Sequence, residues 1–338
     1  MGIPKYGMID LHVHLDGSLS FKMAGELAKM QGMETKSARD LKSLMVAPKD
    51  CRDLNDYLTK FEYPLELLQT ESAITYSVYE LLKIQKSQGI AYSEIRFAPQ
   101  LHTRRGLKQE QVVAAAVKGL QEFMADNKMA GDKTENGKSE GCEDFCSGLI
   151  LCCMRGADNQ VMNMETIDVA GEFLGKGVVA LDLAGAEALF PTENFESLFR
   201  EARRKGIPFT IHAGEADGPE SIWQALEFGA SRIGHGVRCL EDRELVRRLA
   251  KDKIPLELCP TSNINTRIFK NITDYPILQL LDEGIKITIN TDNMTVSNTT
   301  LRDEFKLVSD TFQLREMQIR QLMRNAADSA FLHIQQGN

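Results

Sequence analysis

The sequence has little that would take it out of water. Its first residues, MGIPKYGMID, contain no apolar segment of the signal-peptide kind, and no apolar run is long enough to span a bilayer. Tyr6 stands where N-terminal myristoylation favours Ser or Thr. Basic charge is short as well. Forty Lys and Arg against 48 Asp and Glu leave a net charge of −8. That disfavours nucleic-acid and anionic-membrane partners, which both need a basic face. The seven cysteines are odd in number and scattered, so they build no disulfide framework. The expected setting is reducing and cytoplasmic. Histidine is scarce too, with six in 338 residues.

What is present is ordinary for a soluble enzyme: 43% hydrophobic residues and 7% aromatics. The length allows one large domain or two small ones. Short apolar or β-branched runs recur along the whole chain, at 8–15, 91–99, 148–155, 178–185, 209–215, 231–237, 255–262 and 285–292. Amphipathic helical patterns lie between them, among them 70–88, 109–129, 196–205, 219–228 and 242–251. Gly89 and Gly206 stop helices just ahead of strands. Alternating strands and helices with short connections mean a parallel sheet. Eight such units in this length fit an α/β fold of the closed (β/α)8 TIM-barrel type, with 1–338 as a single domain.

Two regions break the rhythm. Residues 31–70 are too long for a simple connection and are expected to hold extra helices above the first strand. Residues 126–147, DNKMAGDKTENGKSEGCEDFCS, are polar and Gly-rich, which predicts a surface loop. Cys142 and Cys146 within it could bind a metal, but a solvated insertion is the simpler reading. A helical tail is expected from 300 to about 332.

The stretch IDLHVHLD (9–16) carries the chemistry. Ile9, Leu11, Val13 and Leu15 alternate with Asp10, His12, His14 and Asp16. A strand sends alternate side chains to opposite faces, so one set meets the helices and the other points into the barrel. Two imidazoles near the C-terminal end of a first barrel strand can chelate a cation such as Zn²⁺. The alternative is a pair of hydrogen-bonded core histidines. Further candidates occupy matching places. His212 ends the fifth strand, His235 lies in the sixth, and Asp292 ends the eighth. His102 and His333 have no such placement. Singly, His235 could be a core hydrogen-bonder and Asp292 a helix cap; four coincident strand ends favour a metal centre. Glu215, three residues after His212, sits at a strand-to-helix turn. Partly buried, it would keep a proton and serve as general acid; otherwise it is a turn glutamate.

The motifs DLHVHLDGS, YLTKF, EIRFAPQLH, LILCCMR, DLAGAE, IHAGE, IGHG, LCPTSN, INTDN and NAADSAFL follow one another from about residue 8 to 332. In that order the chain resembles the adenosine deaminase family of the amidohydrolase superfamily. The resemblance implies one Zn²⁺ per chain held by His12, His14, His212 and Asp292. It implies that Glu215 protonates purine N1, and that His235 orients the attacking water and helps take its proton, with Asp292 assisting. For the substrate it implies contacts from His14, from Asp16 near the ribose 5′-hydroxyl, from the Gly185 N–H to purine N3, and from position 293 to N7. Leu54, Tyr57, Leu58 and Phe61 would form an apolar helical lid, although their spacing also suits plain core packing.

The implied reaction is hydrolytic deamination of adenosine and 2′-deoxyadenosine to the inosine forms and ammonia, a step of purine salvage. Adenine C6 is a poor electrophile and neutral water a poor nucleophile. Zinc lowers the pKa of a bound water to about 7, and a proton at N1 activates C6. The H-x-E and P-C-x-x-C signature of the cytidine-type zinc deaminases is absent. A departure from the family is Asn293, where many members carry a second aspartate. An amide NH₂ donates to N7 without needing a proton, whereas a carboxyl must first be protonated. Ala186 is another, where an aspartate is frequent.

Alternatives are an adenine or other 6-aminopurine deaminase on the same scaffold, separated by the ribose end at Asp16 and the lid, and a catalytically silent barrel. A metal-dependent ester or amide hydrolase is a more distant one, since no lysine that would bridge two metals is evident. The expected partner is a small purine nucleoside, with no nucleic acid and no membrane; the sequence leaves the oligomeric state open.

Overall fold

The computed structural model describes residues 7–131 and 145–332. The short apolar runs become eight strands: β1 Met8–His14, β2 Ile90–Phe97, β3 Cys146–Met154, β4 Val178–Ala184, β5 Thr210–Ala213, β6 Arg232–His235, β7 Leu256–Leu258 and β8 Ile287–Ile289. All pair in parallel, in the orders β1-β2-β3-β4 and β5-β6-β7-β8. Single parallel bridges join the two sets, Leu181 to Phe209 on one side and Val13 to Asp292 on the other. At the second seam the His14 N–H donates to Asp292 O and the Asp292 N–H donates to His12 O, both at 2.7 Å. The sheet thus returns on itself as an α/β barrel with helices outside. The closing seam runs through three of the residues singled out for chemistry.

The helices follow from their own signals. Ser20, Thr70, Asp242 and Thr300 each accept a first-turn N–H and start a helix, and Gly229 in left-handed conformation ends one at Phe228. The region 31–70 holds helices Ala38–Met45, Leu54–Leu58 and Glu62–Leu67. They stand over the end of β1, as its length required.

Two expectations are corrected. The stretch after Pro260 in the seventh apolar run is helical, Pro260–Asn265, because proline pre-sets the first turn. The tail is helical, as expected, and comes in two pieces. Leu301–Phe312 and Glu316–Ala327 are separated at Gln313, which takes φ +50°. The expected loop 126–147 is helical at its start, within Gln109–Gly131, and extended at its end, since β3 begins at Cys146. Cys142 and His333 lie outside the described residues.

The barrel interior is charged rather than aliphatic. Arg96, Asp182, Arg232, Glu94 and Glu257 are all buried inside it. Residues 329–331 close the mouth opposite the strand C-termini. Ser329 O accepts from Arg232, the Phe331 ring stacks on that guanidinium at 3.9 Å, and the Phe331 N–H donates to Glu94. Among the described residues no helix is long and apolar enough to cross a membrane.

Candidate active site

β1 does not run straight to its end. A register shift between Asp10 and Val13 marks a bulge against β2. The extra residue is stabilised from inside: the Leu11 N–H donates to Asn290 Oδ1, and the His12 N–H to Asp10 Oδ1. Bulges re-aim side chains, and here both imidazoles reach the barrel axis. His12 Nε2 and His14 Nε2 each lie 3.4 Å from Asp292 Oδ1, and His14 Nε2 lies 3.3 Å from His212 Nε2. One donor atom from each of His12, His14, His212 and Asp292 falls within a 4.8 Å group.

Fit to a cation is tested by what the other ring nitrogens do. His12 Nδ1 meets Glu257 Oε2 at 2.8 Å, and His212 Nδ1 meets Asp182 Oδ2 at 2.9 Å. Each carboxylate accepts a hydrogen bond from Nδ1–H, which leaves a lone pair on Nε2, the tautomer that a metal needs. His12 Nε2 is buried and has no hydrogen-bond partner. A buried lone pair without a partner costs about 1–3 kcal/mol, and a cation would satisfy it. The donor set of three imidazoles and a carboxylate suits Zn²⁺.

The charges around this group are fixed. Burial alone would raise the Asp292 carboxyl, but the His12 ring beside it holds it well below the usual carboxylate range. Burial likewise opposes ionisation of Asp182 and Glu257. His212 and Arg96 prevail at the first and Arg96 and Arg232 at the second, so both stay anionic. Burial keeps His14 and His235 well below the usual histidine range, so both are neutral. Arg96 links the outer pair, donating at 2.9 Å to Asp182 Oδ2 and to Glu257 Oε2.

Glu215 behaves in the opposite way. Burial first, then the negative charges of Asp292 and Glu187, push its carboxyl well above the ordinary range. Its Oε1 accepts from Asn263 Nδ2 at 3.0 Å, and its Oε2 lies 3.6 Å from His235 Nε2. The same Asn263 nitrogen lies 3.1 Å from His235 Nδ1. His235 and Asp292 both have φ +59°, a left-handed backbone rare outside glycine. Such strain gathers at functional positions. Gly234 makes the ring packing possible: a Cβ there would lie 3.1 Å from His212 Cα and 3.3 Å from His12 Cε1.

A cavity of about 220 Å³ opens onto the group at the strand C-termini. His14, Asp16, Gly185, His212, Glu215, His235, Asp292 and Asn293 line it, together with Leu54, Tyr57, Leu58 and Phe61. The structure therefore brings together every site residue expected from the sequence, with His12 buried beneath. The lid residues form a five-residue helix, Leu54–Leu58, continued by a 3-10 turn, and Tyr57 is pinned by a 2.7 Å bond to Ser297 Oγ. Asp16 is buried, and burial raises its carboxyl to about 6. His102 is a core residue bonded to the Leu68 carbonyl. The remaining described cysteines Cys51, Cys152, Cys153, Cys239 and Cys259 are buried and form no disulfide.

Sequence reasoning missed the outer layer: Asp182, Glu257, Arg96, Asn263 and Glu187. The available signal was charge inside buried strand runs, as in SEIRF, ALDL and PLEL.

Comparison with known proteins agrees with this geometry. The adenosine deaminase family model matches residues 7–338. An adenosine deaminase from Haemophilus ducreyi is 46% identical over 337 residues, covering 98% of this chain and 94% of that one. The structure of an adenine deaminase from Arthrobacter aurescens superposes with a TM-score of 0.81 at 26% identity, covering 96% of this chain and 93% of that chain. That of an N6-methyl-AMP deaminase from Arabidopsis thaliana gives 0.78 at 25%, covering 96% and 91%. The chain belongs to the adenosine deaminase family.

Proposed function

We propose that this chain is a zinc-dependent adenosine deaminase, converting adenosine and 2′-deoxyadenosine to the inosine forms and ammonia in purine salvage. The observation that carries the reading is one cavity at the strand C-termini that opens onto a four-residue metal-capable group and is lined by Asp16 and by Glu215, whose carboxyl is raised. His12, His14, His212 and Asp292 would hold one Zn²⁺, which supplies hydroxide-like nucleophilicity to water at neutral pH.

The protein's own groups do the rest. Glu215, its carboxyl pushed well above the ordinary range by burial and by Asp292 and Glu187, gives its proton to purine N1, which draws electrons from C6. With the Asn263 amide donating to Nδ1, the neutral His235 ring carries its proton on Nε2. There it donates to the attacking water and orients it. Asp292, held anionic, is the acceptor for the proton that the water loses. Asn293 donates to N7, and the Gly185 N–H donates to N3. Leu54, Tyr57, Leu58 and Phe61 cover the nucleoside and exclude bulk water, which strengthens each of these interactions.

Substrate class follows from the other end of the cavity. Among the described residues no Lys or Arg lines it, and Asp16 does. That arrangement suits a neutral 5′-hydroxyl and repels a 5′-phosphate. The lid and Asp16 give a ribose something to contact, which favours the nucleoside over free adenine. The buried, unpaired cysteines agree with a cytoplasmic setting. Initial rates on adenosine, 2′-deoxyadenosine, adenine and AMP test the reading. It requires the two nucleosides to lead; a chain fastest on adenine or AMP would overturn it.

A further inference from the structure

We propose that Glu187 is the positioning residue for the proton donor, locking the Glu215 loop to the loop that carries Gly185. The proposal rests on the deaminase reading above.

Glu187 is 1% exposed, and its carboxylate collects five donors. Oε1 accepts from the Gly214 N–H at 2.7 Å and from Ser221 Oγ at 2.6 Å. Oε2 accepts from the N–H groups of Glu215 at 3.0 Å, Ala216 at 2.7 Å and Asp217 at 3.0 Å. Four consecutive amides therefore converge on one anion, a backbone nest. They are not the free donors of a helix end. The next helix starts at Pro219, behind a cap at Gly218, so all four lie ahead of it. The segment 214–217 belongs to no strand or helix of its own, and its inward N–H groups have this carboxylate in place of a ladder.

The chain geometry gives the contact its consequence. Glu215 is held at its own backbone by Glu187 and at its side chain by Asn263 and Thr266. Glu187 stands two residues after Gly185, in the turn that Leu189 and Phe190 close onto Ala186 O. The donors proposed for purine N1 and N3 are thereby fixed relative to each other across one ring edge. A glutamine at 187 offers one acceptor oxygen, and its NH₂ would face N–H donors. The loop would move and the donor's aim with it, while the metal group and the ribose side stay intact.

The test is a double-mutant cycle on the full zinc-loaded chain, with zinc content measured for each protein. Adenosine kinetics are read for wild type, Glu187→Gln, Glu215→Gln and the double variant. Glu187→Gln is expected to lower kcat roughly 100-fold with KM within about threefold. In the Glu215→Gln background it should cost less than about threefold, because a residue acting only through Glu215 has nothing left to position. Glu187→Asp keeps the carboxylate and should recover part of the loss. If the Gln variant does not fold, the Asp variant carries the same cycle with a smaller drop. An unchanged kcat in either folded variant, or losses that multiply in the double variant, would overturn the proposal. A wild-type chain that binds zinc and leaves adenosine untouched would instead sink the deaminase reading, and this proposal with it.

Discussion

His12 Nδ1 and Glu257 Oε2 meet at 2.8 Å, both side chains fully buried. Glu257 is in turn held by Arg96 and Arg232, at 2.9 and 2.6 Å. The imidazole is therefore oriented by a charge that cannot move and that keeps one tautomer. Asp182 repeats the device at His212, and Arg96 serves both. Isolated buried ions are costly, and losing one partner of such a pair costs about 3–5 kcal/mol. The network amounts to a rigid base for the metal-capable group.

Asp182→Asn removes the anion behind His212 while preserving shape. Zinc affinity, read by competition with a chromophoric chelator, should fall about 10- to 100-fold. An unchanged affinity would mean that the outer carboxylates hold the barrel together without tuning the metal.

Glu215→Gln keeps an acceptor for the bond from Asn263 and removes the acidic proton. The expected loss in kcat is about 10²- to 10⁴-fold with zinc retained. The pH dependence has a defined sign. A carboxyl raised well above its ordinary range keeps its proton to higher pH than a free glutamate and loses it as pH rises further. Wild-type kcat should accordingly fall as pH rises, and a profile whose alkaline limb is flat would contradict the assignment.

Asn293 is 2% exposed, and its Oδ1 has no hydrogen-bond partner. Asn293→Leu should reduce kcat/KM for adenosine about tenfold, the worth of one hydrogen bond. A Cβ on Gly17 would overlap the same Oδ1. Gly17→Ala should thus displace the amide and reproduce the loss. Full activity in both variants would remove Asn293 from the recognition of N7.

Glu304 is buried behind the helix Pro260–Asn265, accepting from the Thr261 N–H and from Thr299 Oγ1. Burial, opposed by those bonds, raises its carboxyl from 4.5 to about 7. Between those values the folded chain holds a proton that the unfolded chain has lost. Stability attributable to this group therefore falls as pH rises from about 4.5 to 7, by up to about 3 kcal/mol. Glu304→Gln has no such term. Its Tm should gain on wild type between pH 5 and pH 8, and parallel Tm curves would contradict this.

The strands and the inner site were legible in the sequence for one reason. Parallel strands buried on both faces read as short apolar runs, and their chemistry sits at their C-terminal ends. His12, His14, His212 and Asp292 interrupt such runs where nothing structural asks for them. The outer carboxylates were harder to see, because Asp182 and Glu257 alternate with leucines as any strand residue would. Only three-dimensional placement sets Arg96 between them. The break at Gln313 has neither Gly nor Pro to announce it. The bulge in β1 likewise depends on Asn290, 279 positions away from Leu11. Glu187 stood in a recognised motif, but its role needed the fold to bring residues 214–217 against it.

We propose that one zinc ion held by the His12, His14, His212 and Asp292 group drives adenosine deamination by this chain. The most direct measurement strips the metal with a chelator and titrates Zn²⁺ back while ultraviolet absorbance follows adenosine. The expected result is no turnover without metal, a linear rise, and a plateau at one zinc per chain. Equal turnover by the stripped chain, or one zinc bound with adenosine unchanged, would contradict it.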